Sequence, residues 1–266
     1  MARKKRKVNR VFISLLILVV SLILILLIIN QNNKNNYEIS NELSFHNYDF
    51  MNLVKDDYRY IYGDNSQFGI DVSSHNGLID WNEVDVTDLD FVYVRLGYRG
   101  YTSGELHLDE FYESNMEQLV KTKLKLGIYW FPQAISEQEA IEEAEFVLGK
   151  LENYKISLPV VIDLETIHAE GVRRANLTNE ERTTLTNIFL ERIKSKGYKT
   201  MIYSNYYYLT DFLKLEDLAS NYFWIANYND NIDYPYNFQM WQYSDQGKIN
   251  GIGELVDYNI LFNEFN

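Results

Sequence analysis

Hydrophobic residues follow two different patterns along the 266-residue chain. Between residues 11 and 29 they form one apolar run that only Ser14 and Ser21 interrupt. At helical rise such a run spans about 28 Å, close to the ~30 Å hydrocarbon core of a bilayer. From Phe68 onward, short apolar or aromatic runs alternate with longer stretches that are apolar on one face. The first pattern predicts a transmembrane helix, and the second predicts a folded α/β domain.

The residues around the apolar run predict its orientation. Residues 1–10 hold six of the 25 Lys+Arg and no acid, so the positive-inside bias predicts that they stay in the cytoplasm. The run ends in Ile28-Ile29-Asn30 without an Ala-x-Ala-like cleavage pattern. We therefore expect an uncleaved signal anchor at 11–29, with a cleaved signal peptide as the alternative. The protein would cross the cell membrane once, with its domain extracellular, on the cell-wall side.

A polar segment separates the predicted anchor from the domain. Residues 30–36 read Asn-Gln-Asn-Asn-Lys-Asn-Asn, which is of low complexity and poorly suited to packing. We interpret residues 30–65 as a polar stalk, within which part of 37–62 could form a helix lying against the domain. The folded domain is then expected to cover residues 66–266.

The domain is predicted to alternate strands with helices. Predicted helices cover 110–125, 136–153 and 178–197, and the last two begin with the capping boxes Ser136 to Glu139 and Thr178 to Glu181. The later strands follow one another with little helix between them. This order predicts an irregular, flattened (β/α) barrel of the TIM type, incomplete or flattened on its later side. The predicted strands are 68–72, 91–97, 126–131, 159–165, 200–204, 222–227, 238–243 and 258–262.

Charge and cysteine content exclude several functions. With the first ten residues set aside, 38 Asp+Glu stand against 19 Lys+Arg, so phosphate would repel the body of the protein and nucleic-acid binding is not expected. The absence of cysteine excludes disulfides, thiolate metal sites and a cysteine nucleophile. The four histidines have no metal-ligand spacing, so no metal site is predicted.

Carboxylates lie at the ends of three of the predicted strands. They are Asp71, the pair Asp163 and Glu165, and Asp257. In a (β/α) barrel the carboxyl ends of the strands carry the active site. Side chains two residues apart on a strand point to the same side, so Asp163 and Glu165 should share a face.

Two adjacent acids suit the cleavage of a sugar–sugar bond. Because they cannot both ionise freely, one pKa should rise toward the range of a general acid. Glycosidic cleavage needs such an acid to protonate the leaving oxygen, while a second group stabilises positive charge at the anomeric carbon. The sequence Asp-x-Glu also occurs by chance, so this interpretation depends largely on the predicted strand that precedes it.

Aromatic residues near the strand ends offer surfaces for sugar rings. Tyr98, Tyr129, Tyr203 and Trp241 are the candidates, since sugar C–H faces stack on aromatic rings and tyrosine hydroxyls add hydrogen bonds. Packing in the core is the competing interpretation of each.

Several motifs together resemble glycoside hydrolase family 25, the family of the Chalaropsis-type lysozymes. The resemblance covers about residues 66–266, and the order of its motifs is more specific than any one of them. The motifs are Gly69-Ile70-Asp71-Val72-Ser73, Phe91 to Tyr98, Gly127 to Phe131, Pro159 to Glu165, Trp224 to Tyr228, Trp241-Gln242-Tyr243 and Val256-Asp257-Tyr258-Asn259.

This resemblance implies a flattened barrel with N-acetylmuramidase activity on peptidoglycan. By the same likeness Glu165 is the proton donor, and Asp163 orients the N-acetyl group of the substrate, whose oxygen attacks the anomeric carbon. Asp71 and Asp257 match the remaining acids of the pocket, and Tyr129 matches its tyrosine. No metal or organic cofactor is implied. Two further candidates for substrate binding within the matched motifs are Gln242 and Tyr228.

Two other functions remain open at this stage. One is a chitinase-like glycosidase on a similar barrel, which would release chitin oligomers and spare muramic acid linkages. The other is a catalytically silent, glycan-binding wall anchor, which the loss of either acid of the pair would have favoured.

Overall fold

The structure is a computed structural model that describes residues 43–84, 88–229 and 232–265. The predicted cytoplasmic segment 1–10, the predicted anchor 11–29 and the 30–42 part of the predicted stalk lie outside these ranges. Across the described ranges, no helix combines the length and the apolarity that a membrane crossing needs.

Eight strands close into a barrel. Seven of them, β3, β4 and β6 to β10, pair in parallel in that order, and β11 runs antiparallel between β10 and β3. The short strand β5 extends the sheet from β4. The strands are β1 (Leu53–Asp56), β2 (Arg59–Tyr62), β3 (Gln67–Val72), β4 (Phe91–Arg99), β5 (Leu106–Leu108), β6 (Lys125–Phe131), β7 (Val160–Asp163), β8 (Thr200–Asn205), β9 (Tyr222–Ala226), β10 (Met240–Gly247) and β11 (Val256–Leu261).

All eight strands predicted for the barrel are present, and the α/β fold class is confirmed. The barrel is closed, which rules out the incomplete later side that was one of the two predicted alternatives. Closure needs no helix there, because antiparallel β10 and β11 can be joined by a short connection. The predicted strand 159–165 ends earlier, at Asp163, which leaves Glu165 just beyond the strand.

The helices are α1 (Tyr112–Leu119), α2 (Glu137–Leu151), α3 (Asn179–Lys194) and α4 (Tyr206–Phe212). The capping box of α3 is confirmed, since Thr178 Oγ1 accepts a hydrogen bond from the N–H of Glu181, and the Glu181 side chain accepts one from the N–H of Thr178. At α2 the Ser136 hydroxyl caps the helix, while Glu139 accepts from the N–H of Ile135 instead. Both helices therefore begin at the predicted caps.

Alternate residues of the strands form two separate hydrophobic clusters. Met201, Trp224 and Met240 belong to one cluster, whose members lie on alternate positions of the barrel strands. Val92 and Ile162 belong to the larger cluster, which also takes in the buried faces of the helices. Such alternation is typical of a barrel whose strands are packed on both faces. The polar residues at the strand ends are therefore held by a rigid sheet.

Residues 43–65 are folded, which corrects the prediction of a polar stalk, while the helix that part of 37–62 could form is present only as the short 3-10 helix Phe50–Asn52. Strands β1 and β2 form an antiparallel hairpin, and the compact unit that contains the barrel begins at Leu43. The Tyr60 ring lies 5.1 Å from the ring of Trp241, and the Tyr48 ring stacks on Phe262 at 4.5 Å. The prediction extended the polar composition of residues 30–36 as far as residue 65, although tyrosines of this segment pack their rings against the barrel.

Candidate active site

Asp71 and Asp257 lie directly opposite each other on the antiparallel strands β3 and β11. Asp71 is buried, and its Oδ2 accepts hydrogen bonds from Asn259 Nδ2 at 2.8 Å and from Gln242 Nε2 at 2.9 Å. The strand pairing thus fixes one carboxyl pair of the site, and neighbouring amides hold its buried member.

Both members of this first pair bind protons more tightly than an ordinary aspartate. Burial raises the pKa of Asp71 to about 6, although the amides of Asn259 and Gln242 oppose the shift. Burial also raises the pKa of Asp257, followed by the charges of Asp71 and Asp245, to about 9. At neutral pH the pair therefore carries less than its full negative charge.

Asp163 and Glu165 form the second pair, and each carboxyl influences the pKa of the other, as expected for two acids on one face. Asp163 is the last residue of β7 and is buried, and its Oδ1 has no hydrogen-bond partner among the described residues. The Glu165 side chain is exposed, although protein atoms crowd around its carboxyl. The pair therefore joins a buried acid to one that a substrate can reach.

The pKa values of both acids of this second pair are raised. Burial is the main cause for Asp163, and the neighbouring Glu165 adds to it. Loss of water around its carboxyl raises the pKa of Glu165, while the hydrogen bond from Asp163 opposes that shift. A raised pKa lets a carboxyl keep its proton at a pH where an ordinary one ionises, which is what a general acid needs.

Arg95 supplies a positive charge beside these acids. Its Nε lies 2.8 Å from Asp109 Oδ2, and its Nη2 donates to Ser74 Oγ at 2.7 Å. The arginine charge counteracts the rise in the pKa of Asp163. The sequence analysis missed this residue, although a charged side chain inside an otherwise apolar strand is a signal that could have found it.

Gln242 connects the tyrosines of the site to Asp71. Its Oε1 accepts hydrogen bonds from the hydroxyls of both Tyr203 and Tyr228, each at 2.7 Å, while its Nε2 donates to Asp71. The Tyr129 hydroxyl is hydrogen-bonded to Ser73. The predicted residues Tyr129, Tyr203, Tyr228 and Gln242 therefore do lie together at the acids.

Trp241 does not reach this site, which corrects its prediction as a residue that binds sugar. It is fully buried, its Nε1 donates to the carbonyl of Asn227, and its ring packs against Tyr60. Neighbours on a strand face opposite ways, so Gln242 turns to the acids and Trp241 turns away. Tyr98 lies at the edge of the site, with the Arg95 guanidinium 5.6 Å above its ring and the His107 ring stacked on it at 5.0 Å.

Within the described ranges, no group of three or more His, Asp or Glu side chains is arranged to hold a metal ion. The site can therefore be described through its carboxyl, amide, hydroxyl and guanidinium groups. Together they offer an exposed acid, a buried acid with a free oxygen, and a polar wall of Gln242 and its tyrosines.

The sequence model of glycosyl hydrolases family 25 matches residues 70–252. The chain therefore belongs to glycosyl hydrolases family 25. It is thus a glycoside hydrolase, and lysozymes are among its relatives.

Three relatives show the range of similarity. The uncharacterized protein YegX of Escherichia coli is 28% identical over 201 residues, which are 73% of this chain and 68% of that protein. The autolytic lysozyme of Clostridium acetobutylicum is 26% identical over 71% of this chain and 54% of the relative. Lysozyme M1 of Streptomyces globisporus is 24% identical over 72% of this chain and 66% of the relative.

Solved structures share the fold. The autolysin LytC of Streptococcus pneumoniae, in complex with a synthetic peptidoglycan ligand, aligns with a TM-score of 0.67 and 25% identity over 78% of this chain and 51% of LytC. A family 25 glycosyl hydrolase of Bacillus anthracis aligns with a TM-score of 0.62 and 21% identity over 79% of this chain and 96% of that enzyme. The chain thus spans about half the length of LytC and the autolytic lysozyme.

Proposed function

We propose that the protein is a peptidoglycan hydrolase that cleaves the β-1,4 bond between N-acetylmuramic acid and N-acetylglucosamine. The observation that carries this proposal is the contact between Asp163 and Glu165 at the barrel mouth. Membership of glycosyl hydrolases family 25 supports it, as do the two lysozymes among the relatives and the peptidoglycan ligand bound by LytC.

Glu165 acts as the general acid in this proposal. Its side chain is exposed, so it can reach the oxygen of a bound glycan, and its raised pKa favours the protonated form. It gives this proton to the leaving glycosidic oxygen as the bond to the anomeric carbon breaks. The resulting carboxylate then takes a proton from the water that completes hydrolysis.

Asp163 assists through the substrate. Retaining enzymes with a carboxylate nucleophile separate their two acids by about 5–5.5 Å, and inverting enzymes by more. Asp163 and Glu165 lie close enough to shift each other's pKa, and such a close pair fits a route in which the substrate supplies the nucleophile. The two acids share one proton, which moves to Glu165 when substrate binds and leaves Asp163 ionised. Asp163 then accepts the N–H of the N-acetyl group, whose carbonyl oxygen bonds to the anomeric carbon as the leaving group departs. Water then opens this intermediate at the same carbon.

Asp71, Asp257 and Gln242 form the wall opposite Glu165. The Asp71 and Glu165 charges already influence each other, since Glu165 contributes to the raised pKa of Asp71. A negative wall stabilises the positive charge that develops on the sugar ring in the transition state. The hydroxyls of Tyr203 and Tyr228 hold Gln242 and so keep this wall in place.

The products of digestion test the function. The full-length chain, purified in detergent, should solubilise purified peptidoglycan and leave N-acetylmuramic acid at the new reducing ends, as identified by mass spectrometry. New reducing ends of N-acetylglucosamine would contradict the proposed bond. Cleavage of chitin oligomers without attack on peptidoglycan would establish the chitinase-like alternative, and binding without cleavage would establish a silent anchor.

We further propose that residues 11–29 anchor the protein in the cell membrane, with residues 1–10 in the cytoplasm and the barrel on the wall side. The support is the sequence pattern alone. After cell fractionation the protein should be found in membranes, and protease added outside intact spheroplasts should digest it. A shortened, free form in the medium would show cleavage of a signal peptide instead.

A further inference from the structure

A cavity of about 220 Å³ opens beside Glu165. Its walls come from the loop that follows β7, from the loop before α2 and from helices α3 and α4. Sites that hold whole drug-sized ligands measure about 300–1,000 Å³. This cavity is smaller, so it suits a substituent of a sugar that lies against Glu165 better than a complete sugar chain.

Two buried arginines line this cavity without an acidic partner. Arg174 and Arg182 are only 5% and 8% exposed, and within the described ranges no carboxylate oxygen lies within 4.0 Å of either guanidinium. The nearby Arg99 and Arg173, by contrast, form ion pairs with Glu143 and Glu139. The buried carboxylate of Glu143 feels the charge of Arg174, but its direct partner is Arg99, so neither cavity arginine has a carboxylate of its own in contact.

The hydrogen bonds of these arginines are also incomplete. Arg182 donates to the carbonyls of Leu177 and Arg174 and to the Tyr208 hydroxyl. Arg174 Nε has no partner, although the residue is buried. Gln133, 2% exposed and in the same wall, has an unpartnered Oε1. Buried polar atoms are almost always satisfied in folded proteins, so these two atoms mark the wall of the cavity as incompletely hydrogen-bonded.

The remaining walls restrict the chemistry of that ligand. Ile167, Val172 and Phe212 line the cavity with apolar surface. A guanidinium recognises a carboxylate by hydrogen bonds that are stronger than those between neutral groups. Apolar walls beside two guanidiniums suit a carboxylate on a short, branched aliphatic group.

We propose that this cavity binds a carboxylate carried by the glycan strand next to the bond that is cleaved. This inference rests on the proposed function, because it takes the strand to lie against Glu165. Peptidoglycan offers two sources of that carboxylate, the lactyl group of muramic acid when it bears no peptide, and the stem peptide when it does. Either source would make the cavity select muramic acid strands over uncharged strands such as chitin.

Replacing Arg174 tests this role. The variant Arg174→Met keeps much of the length of the side chain and removes its charge. The matched control is Arg192→Met, because Arg192 lies at the other end of α3, is paired with Glu145 and does not line the cavity. For each protein kcat/KM is measured on three glycan strands: peptide-free, peptide-free with the lactyl carboxyl reduced to an alcohol, and peptide-bearing.

If the lactyl group supplies the carboxylate, kcat/KM of the wild-type protein should be about 10- to 100-fold higher on the peptide-free strand than on its carboxyl-reduced form. Arg174→Met should lose this preference by weakening on the carboxylated strand alone, whereas Arg192→Met should keep it. A loss confined to the peptide-bearing strand would assign the cavity to the stem peptide. Equal rates of wild-type protein on all three strands, or an equal loss for Arg174→Met on all three, would overturn the inference while leaving the muramidase intact.

A second variant guards against misfolding of Arg174→Met. Val172→Phe fills the cavity without touching either guanidinium, and it should reduce the same preference. A readout that is independent of cleavage is the binding of N-acetylmuramic acid and N-acetylglucosamine to wild-type protein by calorimetry. Tighter binding of the carboxylated sugar supports the proposal, and equal binding contradicts it. No cleavage of any strand would remove the proposed function, and this inference with it.

Discussion

The barrel mouth holds two pairs of carboxyl groups, which differ in how many hydrogen bonds the protein donates to their oxygens. In the Asp71–Asp257 pair, two amides donate to the buried Asp71. In the Asp163–Glu165 pair, the buried acid keeps an unpartnered oxygen and the other acid is exposed. The same residue types therefore serve two purposes. The pair that accepts hydrogen bonds from the protein is held in place, and the pair with an unpartnered oxygen can bind a substrate.

Neighbouring strands explain this difference. β10 and β11 bring the amides of Gln242 and Asn259 to Asp71. Asp163 lies opposite Tyr203 of β8, but that hydroxyl donates to Gln242. The hydroxyl of Tyr129, on the other neighbouring strand, is bonded to Ser73. The donors that could satisfy Asp163 are thus engaged elsewhere, which leaves it open.

The largest effect is expected at the exposed acid. Glu165→Gln keeps the shape of the side chain but cannot donate the proton, so the rate of peptidoglycan cleavage should fall by more than about 10³, within the usual range for a general acid. Glu170→Gln is the matched control, because Glu170 is exposed in the same loop. Full activity in Glu165→Gln, measured as new reducing ends, would reject the assignment.

A smaller loss, of about 10²-fold, is expected for Asp163→Asn. The amide fits the same space but carries no negative charge to stabilise the N-acetyl group as it attacks, and single groups of this kind are worth about 10²–10³ in rate. The effect should fall on kcat more than on KM. Asp217→Asn, at an exposed position outside the barrel mouth, serves as the control. An unchanged kcat for Asp163→Asn would show that the open oxygen has no part in the reaction.

The sequence predicted the barrel and all four acids of the two pairs, because both depend on local patterns. Strand-forming runs identify the barrel, and a carboxylate directly after such a run is visible in the sequence. The hairpin of residues 53–62 was missed because its burial depends on tyrosines whose surroundings only the fold defines.

The hydrogen bonds that the acids accept could not be predicted in the same way. Gln242 was a candidate, but its hydrogen bonds and the role of Asn259 depend on the register of β10, β11 and β3, which the sequence does not specify. The direction in which Trp241 faces depends on that same register, since a shift of one residue exchanges the two faces of a strand. Contacts between distant strands are therefore what sequence patterns leave open.

The Asp71–Asp257 pair should affect stability and its dependence on pH. The pKa values of Asp71 and Asp257 are raised to about 6 and about 9, so the native state holds protons more tightly than the unfolded chain. The stability from this pair is fully present below the unfolded pKa of 3.8 and is lost as pH rises through about 6 and then about 9.

Asp257→Asn removes one of these titrations. Between pH 5 and pH 9 the free energy of unfolding of the wild-type protein should fall by several kcal/mol more than that of the variant, with an upper bound of about 5 kcal/mol. Denaturant titrations at several pH values measure this difference. Asp211→Asn, at an exposed position, should leave the wild-type slope unchanged. Parallel pH profiles for wild-type protein and Asp257→Asn would show that the pair is not protonated as described.

The smallest effect is expected for the two tyrosines that donate hydrogen bonds to Gln242, the residue that in turn donates to Asp71. Tyr203 and Tyr228 both donate to Gln242 Oε1 at 2.7 Å, but Tyr203 is 8% exposed and Tyr228 is 52% exposed. Water can replace the hydroxyl lost in Tyr228→Phe, so kcat/KM should fall only about threefold. Tyr203→Phe leaves a buried gap and should cost about tenfold, in line with about 0.5–1.5 kcal/mol for a hydrogen bond. The reverse order would mean that Tyr228 contacts the glycan directly, since only a substrate contact would make the exposed hydroxyl the more important one.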